Sequence, residues 1–216
     1  MAIGGGYQGK FLDVDLSTGQ IQPVPLPPED VLRTWVGGLG LGLYLLAGEI
    51  TPGMKCTDPD APMMIMTGPL TGTLVPNSSN WTIVNLRHTP DYVIGVSQAH
   101  GWFGARLKHA GWDGIIVRGA SRDPVYLWVD DDRVELRDAG AYWDQDTYET
   151  PRRLKLDLGD PLEISVACIG PGGENLLLGA TVRSDGVYTC AMGDAGMSWG
   201  SKKLKAIAVR GSGRVP

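Results

Sequence analysis

Lys10-Phe11-Leu12-Asp13-Val14-Asp15-Leu16-Ser17-Thr18-Gly19-Gln20-Ile21-Gln22-Pro23-Val24 reads as a β-hairpin. Phe11, Val14 and Leu16 stand among polar residues, Ser17-Thr18-Gly19 supplies the turn, and Gln20–Val24 returns. A second hairpin lies at Val125–Val129 and Arg133–Leu136, around Asp130-Asp131-Asp132. Three acids there read as a solvated turn rather than a cation site. Tight turns of this kind join antiparallel strands, so the pattern points to antiparallel sheets.

Outward from the hairpins the chain keeps the same character. Met63–Met66, Trp81–Leu86, Tyr92–Val96, Ile115–Val117, Ile164–Ile169 and Leu204–Val209 read as further strands. The Met63-Met64-Ile65-Met66 run is core packing. Pro27-Pro28-Glu29-Asp30 marks a helix start, with prolines at the entry and acids in the first turn. Leu43–Gly48, Trp102–Ala110 and Asp146 to about Leu158 are the other helical segments, while Gly170–Gly173 and the stretch holding Cys190 read as loops. Nine to eleven strands and three to four helices without β-α-β-α alternation give an α+β class. One domain is expected over residues 1–211, with a frayed polar tail at 212–216.

Composition bounds function. The 216 residues include 31 Gly and 15 Pro, roughly a fifth of the chain, which argues against a helical bundle. A net charge of −5 lacks the electrostatic footprint of a nucleic-acid binder. Seven Trp against two Phe imply several ring sites needing an N–H partner. Cys56, Cys168 and Cys190 form no C-x-x-C pair, so one chain cannot assemble a four-cysteine metal or iron–sulfur site. An odd cysteine count, no signal-peptide pattern at the start and no apolar run of spanning length favour reduced thiols, a cytoplasmic setting and no membrane partner.

Local motifs carry little chemistry. Gly37–Gly42 lacks G-x-G-x-x-G and follows a helical segment, so close helix packing explains it better than a nucleotide loop. Gly196–Lys202 has the wrong order for a phosphate-binding loop. His88, His100 and His109 show no metal-ligand spacing; His109 reads as a helix C-terminal residue, and His100, in a polar loop, is the most interesting of the three. Cys190 is the better placed of the thiols for reactivity, yet it has no electropositive neighbours.

Several longer stretches, taken together, resemble the N-terminal domain of the aldehyde ferredoxin oxidoreductase family, the tungsten bis-pterin enzymes. They include Tyr7-Gln8-Gly9-Lys10, Thr67-Gly68-Pro69-Leu70-Thr71-Gly72-Thr73, Ala110-Gly111-Trp112-Asp113-Gly114-Ile115-Ile116-Val117, Ala167-Cys168-Ile169-Gly170-Pro171-Gly172-Gly173-Glu174-Asn175 and Gly200-Ser201-Lys202-Lys203-Leu204-Lys205-Ala206-Ile207. The resemblance implies two β-sheets forming a base for a tungsten (or molybdenum) bis-pterin cofactor. It places the iron–sulfur cluster and the substrate channel in further domains, here a partner chain. It assigns no catalytic residue and no metal ligand to this segment.

The same resemblance marks the cofactor-facing positions and shows where this chain departs. Asn80 stands where the family pattern has an Arg. Gln98 and His100 replace an Asn and a Gly, and Tyr188 and Met192 occupy arginine positions, with Thr189 and Ala191 beside them. A guanidinium binds phosphate bidentately, which a neutral side chain does not; His100, Val187 and Asp194 add bulk where the pattern is small. Three readings follow. The chain is a small subunit or stand-alone domain of an oxidoreductase acting on aldehyde or oxo groups, not catalytic alone. Or it is a cofactor-free structural subunit. Or it binds a small molecule in the pterin groove through Asn80, Gln98, His100, Tyr188 and Thr189. All three imply a homo-oligomer or a hetero-complex, because the inner face would otherwise stay exposed.

Overall fold

The computed structural model describes residues 5–88 and 94–216. The first sheet contains β1 (Lys10–Asp15), β2 (Gln20–Pro25), β3 (Met63–Thr67), β4 (Trp81–Leu86), β5 (Ile94–Ala99) and β6 (Gly114–Arg118), ordered β2-β1-β6-β3-β4-β5. The second contains β7 (Val125–Asp130), β8 (Arg133–Asp138), β9 (Ser165–Cys168), β10 (Val182–Ser184), β11 (Tyr188–Cys190) and β12 (Leu204–Arg210), ordered β11-β10-β9-β12-β7-β8. Pairing is antiparallel as expected, except that β1 runs parallel to β6 and β12 parallel to β7. Both sheets are therefore mixed. The interior strands β3 and β4 are buried along their whole length. The edge strand β2 is mostly exposed and carries Pro23 and Pro25, as suits residues that donate no ladder hydrogen bond.

Alternation along the strands builds three apolar layers. Leu12, Val14, Ile65 and Ile83 of the first sheet meet Leu127, Val129, Ala167, Ile207 and Val209 of the second in one shared core. Phe11, Met64, Met66, Val84 and Ile116 face the opposite side, under α1 (Glu29–Trp35) and α2 (Gly38–Ala47). α3 (Phe103–His109) sends Phe103 and Leu107 into the shared core. α4 (Glu149–Asp157) covers the outer face of the second sheet through Leu154. Among the described residues no helix is long and apolar enough to cross a membrane.

Several segments depart from the sequence reading. Gly170–Gly173 is not a loop: Pro171–Glu174 forms the short helix α5. Cys190 ends strand β11, and Ala195–Ser201 forms a helix, α6, that the pattern does not reveal. α6 survives two internal glycines because of tertiary packing. A Cβ on Gly200 would sit 1.8 Å from the Gly173 carbonyl oxygen, and one on Gly196 would sit 2.6 Å from the Ala180 backbone. Glycine here permits helix-to-backbone approach that outweighs its poor propensity. The Tyr92–Val96 strand is β5 from Ile94 onward; Tyr92 and Val93 lie outside the described residues.

The tail is docked rather than frayed. Arg210 forms a two-bond pair with Asp130, Asp131 accepts from the Ser212 backbone N–H and hydroxyl, and Gly213 donates to the His109 carbonyl. The acidic turn is thus a tether, and Asp132 is paired with Lys10. Gly6 donates to the Pro216 carbonyl oxygen at 2.9 Å, so both described ends lie together.

Three lysines are buried with their charges met in different ways. Lys108 pairs with Asp113, which also accepts from the Gln8 and Gly9 backbone N–H groups. Lys205 pairs with Glu174 and donates to the Gln145 and Ile169 carbonyls. Among the described residues Lys202 has no carboxylate contact; it donates to the Pro59 and Gly119 carbonyls at 2.9 and 3.2 Å, with Asp58 O at 3.5 Å.

Candidate functional site

The α2 face of the first sheet bears a cleft of about 460 Å³, within the usual range for small-molecule sites. Its floor is the start of α2 with the loop Gly68–Thr71, and its rim is the loop Val75–Asn80. The floor exists because glycines bring backbones together. A Cβ on Gly37 would meet Gly68 Cα and the Thr67 carbonyl oxygen at 2.9 Å, and one on Gly42 would meet Val84 at 2.7 Å. Gly37–Gly42 is therefore the close-packing device its sequence suggests, with α2 beginning at Gly38.

Thr82 and Gln98 are register partners on β4 and β5, so both side chains rise from the sheet into this cleft. Thr82 is 3% exposed and lines the cleft. Gly38, at φ 49°, passes beside it: a Cβ there would lie 3.4 Å from Thr82 Oγ1. No side chain caps the first-turn N–H groups of α2. Asn80 lines the rim, and its carbonyl accepts from Thr71 Oγ1 at 2.9 Å, which holds rim to floor. Asn77 and Ser78 complete the polar wall; among the described residues the cleft lining contains no Asp, Glu, Lys, Arg or His.

The other named positions lie along a seam where β5 meets β11. Gly95 and Gly193 touch backbone to backbone; a Cβ on Gly95 would be 2.3 Å from the Gly193 carbonyl oxygen. Tyr188 lays its ring over Gly101, which has φ 87° and would place a Cβ 2.3 Å from the ring. His100 is exposed, and its carbonyl accepts from Trp81 Nε1. Thr189 accepts from Arg183 Nε at 3.1 Å, and the Arg183 guanidinium stacks 4.8 Å from the Tyr148 ring. Ala191 and Met192 are exposed, with the Met192 carbonyl against the Ser97 hydroxyl on the opposite face of β5 from Gln98. Of the seven positions, Asn80 and Gln98 thus share the cleft, and the remaining five follow the seam.

Asp194 does not protrude into either region. Its carboxylate is buried, accepting from the His88 and Gly179 backbone N–H groups, with Arg87 at 3.6 Å. Cys190 is fully buried, and burial pushes its thiol well above the ordinary range, so it is no reactive site. Burial likewise raises Cys168 to about 12 and Cys56 to about 11, the latter with help from Asp194 and Asp58. Among the described residues no three His, Cys, Asp or Glu side chains converge for a metal.

The sequence reading missed Thr82, whose residue type reads simply as a strand former. Its signal is register: it lies two residues after Asn80 and pairs with Gln98. Arg183 was missed because it stands outside the motif's arginine positions.

A family model described as aldehyde ferredoxin oxidoreductase, N-terminal domain, matches residues 11–211. The chain is 41% identical over 211 residues to the tungsten-containing aldehyde ferredoxin oxidoreductase of Thermococcus kodakarensis, covering 98% of this chain and 34% of that protein. It is 38% identical over 224 residues to the aliphatic sulfonate oxidoreductase, WOR-like subunit, of Pyrococcus furiosus, covering 97% of this chain and 35% of that one. Among solved structures, the active-site complex BamBC of benzoyl coenzyme A reductase with 1,5-dienoyl-CoA superposes with a TM-score of 0.93 at 30% identity, over 97% of this chain and 32% of that chain. The chain spans about a third of the length of the curated relatives it matches.

Proposed function

The chain belongs to the aldehyde ferredoxin oxidoreductase N-terminal domain family, and from that premise we propose that it serves as the ligand-facing base of an oxidoreductase whose catalytic groups lie in other domains. The observation that supports this most is the join of family match and geometry. About a third of a tungsten-enzyme chain is matched by 98% of this one, and the α2 face of its first sheet carries a glycine-floored cleft. In this reading the remaining domains, in a partner chain, supply the iron–sulfur cluster and the substrate channel, the assembly works in the cytoplasm, and this chain alone turns nothing over. Its own contribution is positional: a glycine floor with amide and hydroxyl groups around it.

The family's tungsten or molybdenum bis-pterin raises a question of fit. The glycine floor suits a flat ring. The donor set does not suit phosphates, because the cleft lining among the described residues has no cation, and Arg183 lies on the seam, with Nε donating to Thr189 and the guanidinium over the Tyr148 ring. No chemical step is therefore routed through that group here. This misfit supports the second reading, a subunit that lends the fold, or a small-molecule groove, without holding the metal cofactor.

Co-expression with a protein carrying the family's remaining domains tests the proposal. Co-purification at fixed stoichiometry, with activity only in the complex, is the expected result. Failure of the two to associate would overturn it. Tungsten and molybdenum analysis of the complex then separates the two readings.

A further inference from the structure

We infer that β8 is a self-pairing edge, along which two copies of this chain join antiparallel about a twofold axis at Leu136. The inference concerns a surface apart from the cleft and the seam, and it does not rest on the function proposed above.

The two sheets end in β2, β5, β11 and β8. β2 carries Pro23 and Pro25, which donate nothing to a neighbouring strand. β5 and β11 meet each other at the seam, where Gly95 and Gly193 touch. That leaves β2 and β8 at the other end of the two sheets, whereas the cleft lies by β4 and β5. β8 holds neither proline nor glycine. On its inner side it pairs with β7, and the Ala139 N–H donates to the Pro124 carbonyl. Bonded pairs alternate along an antiparallel ladder. Arg133, Glu135 and Arg137 therefore turn their N–H and C=O groups toward β7, and Val134, Leu136 and Asp138 turn theirs outward. The outward groups have no hydrogen-bond partner among the described residues.

Charge selects the partner and the register. Charged side chains on an exposed edge usually repel a second strand. On β8 the signs alternate instead: Arg133 and Arg137 flank Glu135 on one face, at 2.6 and 2.7 Å. Place a second copy antiparallel, with Leu136 opposite the partner's Leu136. Val134 then faces the partner's Asp138, and every outward N–H and C=O group is met. In the same register Glu135 faces the partner's Arg137, and Arg137 faces the partner's Glu135. These are the non-bonded positions, where facing side chains come closest.

The neighbouring registers fail. With Val134 opposite the partner's Leu136, Glu135 faces glutamate and Arg133 faces the partner's Arg137. With Leu136 opposite the partner's Asp138, Arg137 faces arginine. Like charges directly opposite are unfavourable. Centring on Val134 pairs Arg133 with the partner's Glu135, but sets Leu136 against the partner's Asp132, in the hairpin turn. One register thus satisfies both backbone and charge. On the other face Val134 and Leu136 are half-buried against the shared core, so Leu136 meeting its counterpart carries that core across the axis. The same strand supplies both halves of every match, which is what an isologous, closed dimer requires.

Sedimentation velocity on the full chain at about 50 μM, a concentration suited to a small interface, tests this. The expected mass is twice the 23.1 kDa of one chain. Glu135→Arg sets arginine against the partner's Arg137 and should weaken association about tenfold or more. Arg137→Glu sets glutamate against the partner's Glu135 and should do the same. Mixed in equal amounts, the two variants face unlike charges at both positions, and should form a heterodimer within about threefold of wild-type affinity. Recovery on mixing is a readout that misfolding does not produce, and the far-UV circular dichroism of each variant should match wild type. A monomeric wild type, a dimer indifferent to either variant, or variants that stay apart when mixed would each overturn the inference. None of these results bears on co-purification with the remaining domains, so the two proposals fail separately.

Discussion

Lys202→Met isolates a charge held by carbonyl oxygens alone. Lys202 is 1% exposed and donates to the Pro59 and Gly119 carbonyls. Burial lowers its pKa from 10.5 to about 8, against the attraction of Asp60 and Asp58 and a smaller pull from Cys56. The folded chain releases this proton near pH 8, while the unfolded chain holds it to about 10.5. Between those values the unfolded state binds more protons, so stability rises with pH. The excursion is worth about 3 kcal/mol, at about 1.4 kcal/mol for each tenfold change in proton affinity. Full burial means that solvent screening removes little of it. The assay is urea denaturation of wild type and Lys202→Met from about pH 7 to about pH 10.5. Other groups titrate in both proteins, so the difference between the two curves belongs to Lys202. That difference should move in favour of wild type by about 3 kcal/mol across the window. A difference that stays flat within about 0.5 kcal/mol would refute the reasoning.

Other residues give independent checks. Lys205→Met should cost about 3–5 kcal/mol in urea denaturation, because it strands the buried Glu174 carboxylate; adding Glu174→Leu should recover much of that loss, and strict additivity would argue against a coupled pair. Gly101→Ala should lower stability by about 1–3 kcal/mol, since its φ is 87° and the new Cβ strikes Tyr188; in thermal melts Tyr188→Ala should relieve the steric part. Ellman's reagent should label none of the three cysteines in the native chain and all three in guanidinium, because each is buried with a raised thiol pKa. Rapid native labelling of Cys190 would contradict the placement of β11.

The hairpins were legible because their information is local. Ser17-Thr18-Gly19 and the Asp130–Asp132 turn carry their own geometry, and alternation on each side names the buried face. α6 and β11 were not, because what holds them is distant in sequence. α6 rests on the Gly173 and Ala180 backbones, and β11 is a three-residue strand fixed by pairing with β10 and by Tyr188 lying on Gly101. The site divides in the same way. Motif comparison reached Asn80 and Gln98, which share the cleft, whereas Thr82 emerges only when register sets it opposite Gln98. The seam positions looked like one constellation in the sequence, yet strand alternation sends Gln98 and the Ser97–Met192 contact to opposite faces of β5.

The hydrogen bond from Gly6 to Pro216 has a topological meaning. With its two described ends one hydrogen bond apart, the gap between Gly6 and Pro216 is short enough for a linker to close. Joining those ends through a short linker and opening the chain at Leu162, an exposed turn residue between α4 and β9, would keep every strand ladder. The order in which the elements are synthesised would change while their neighbours stayed the same. Such a permutant would separate what the ladders require from what the native chain order supplies.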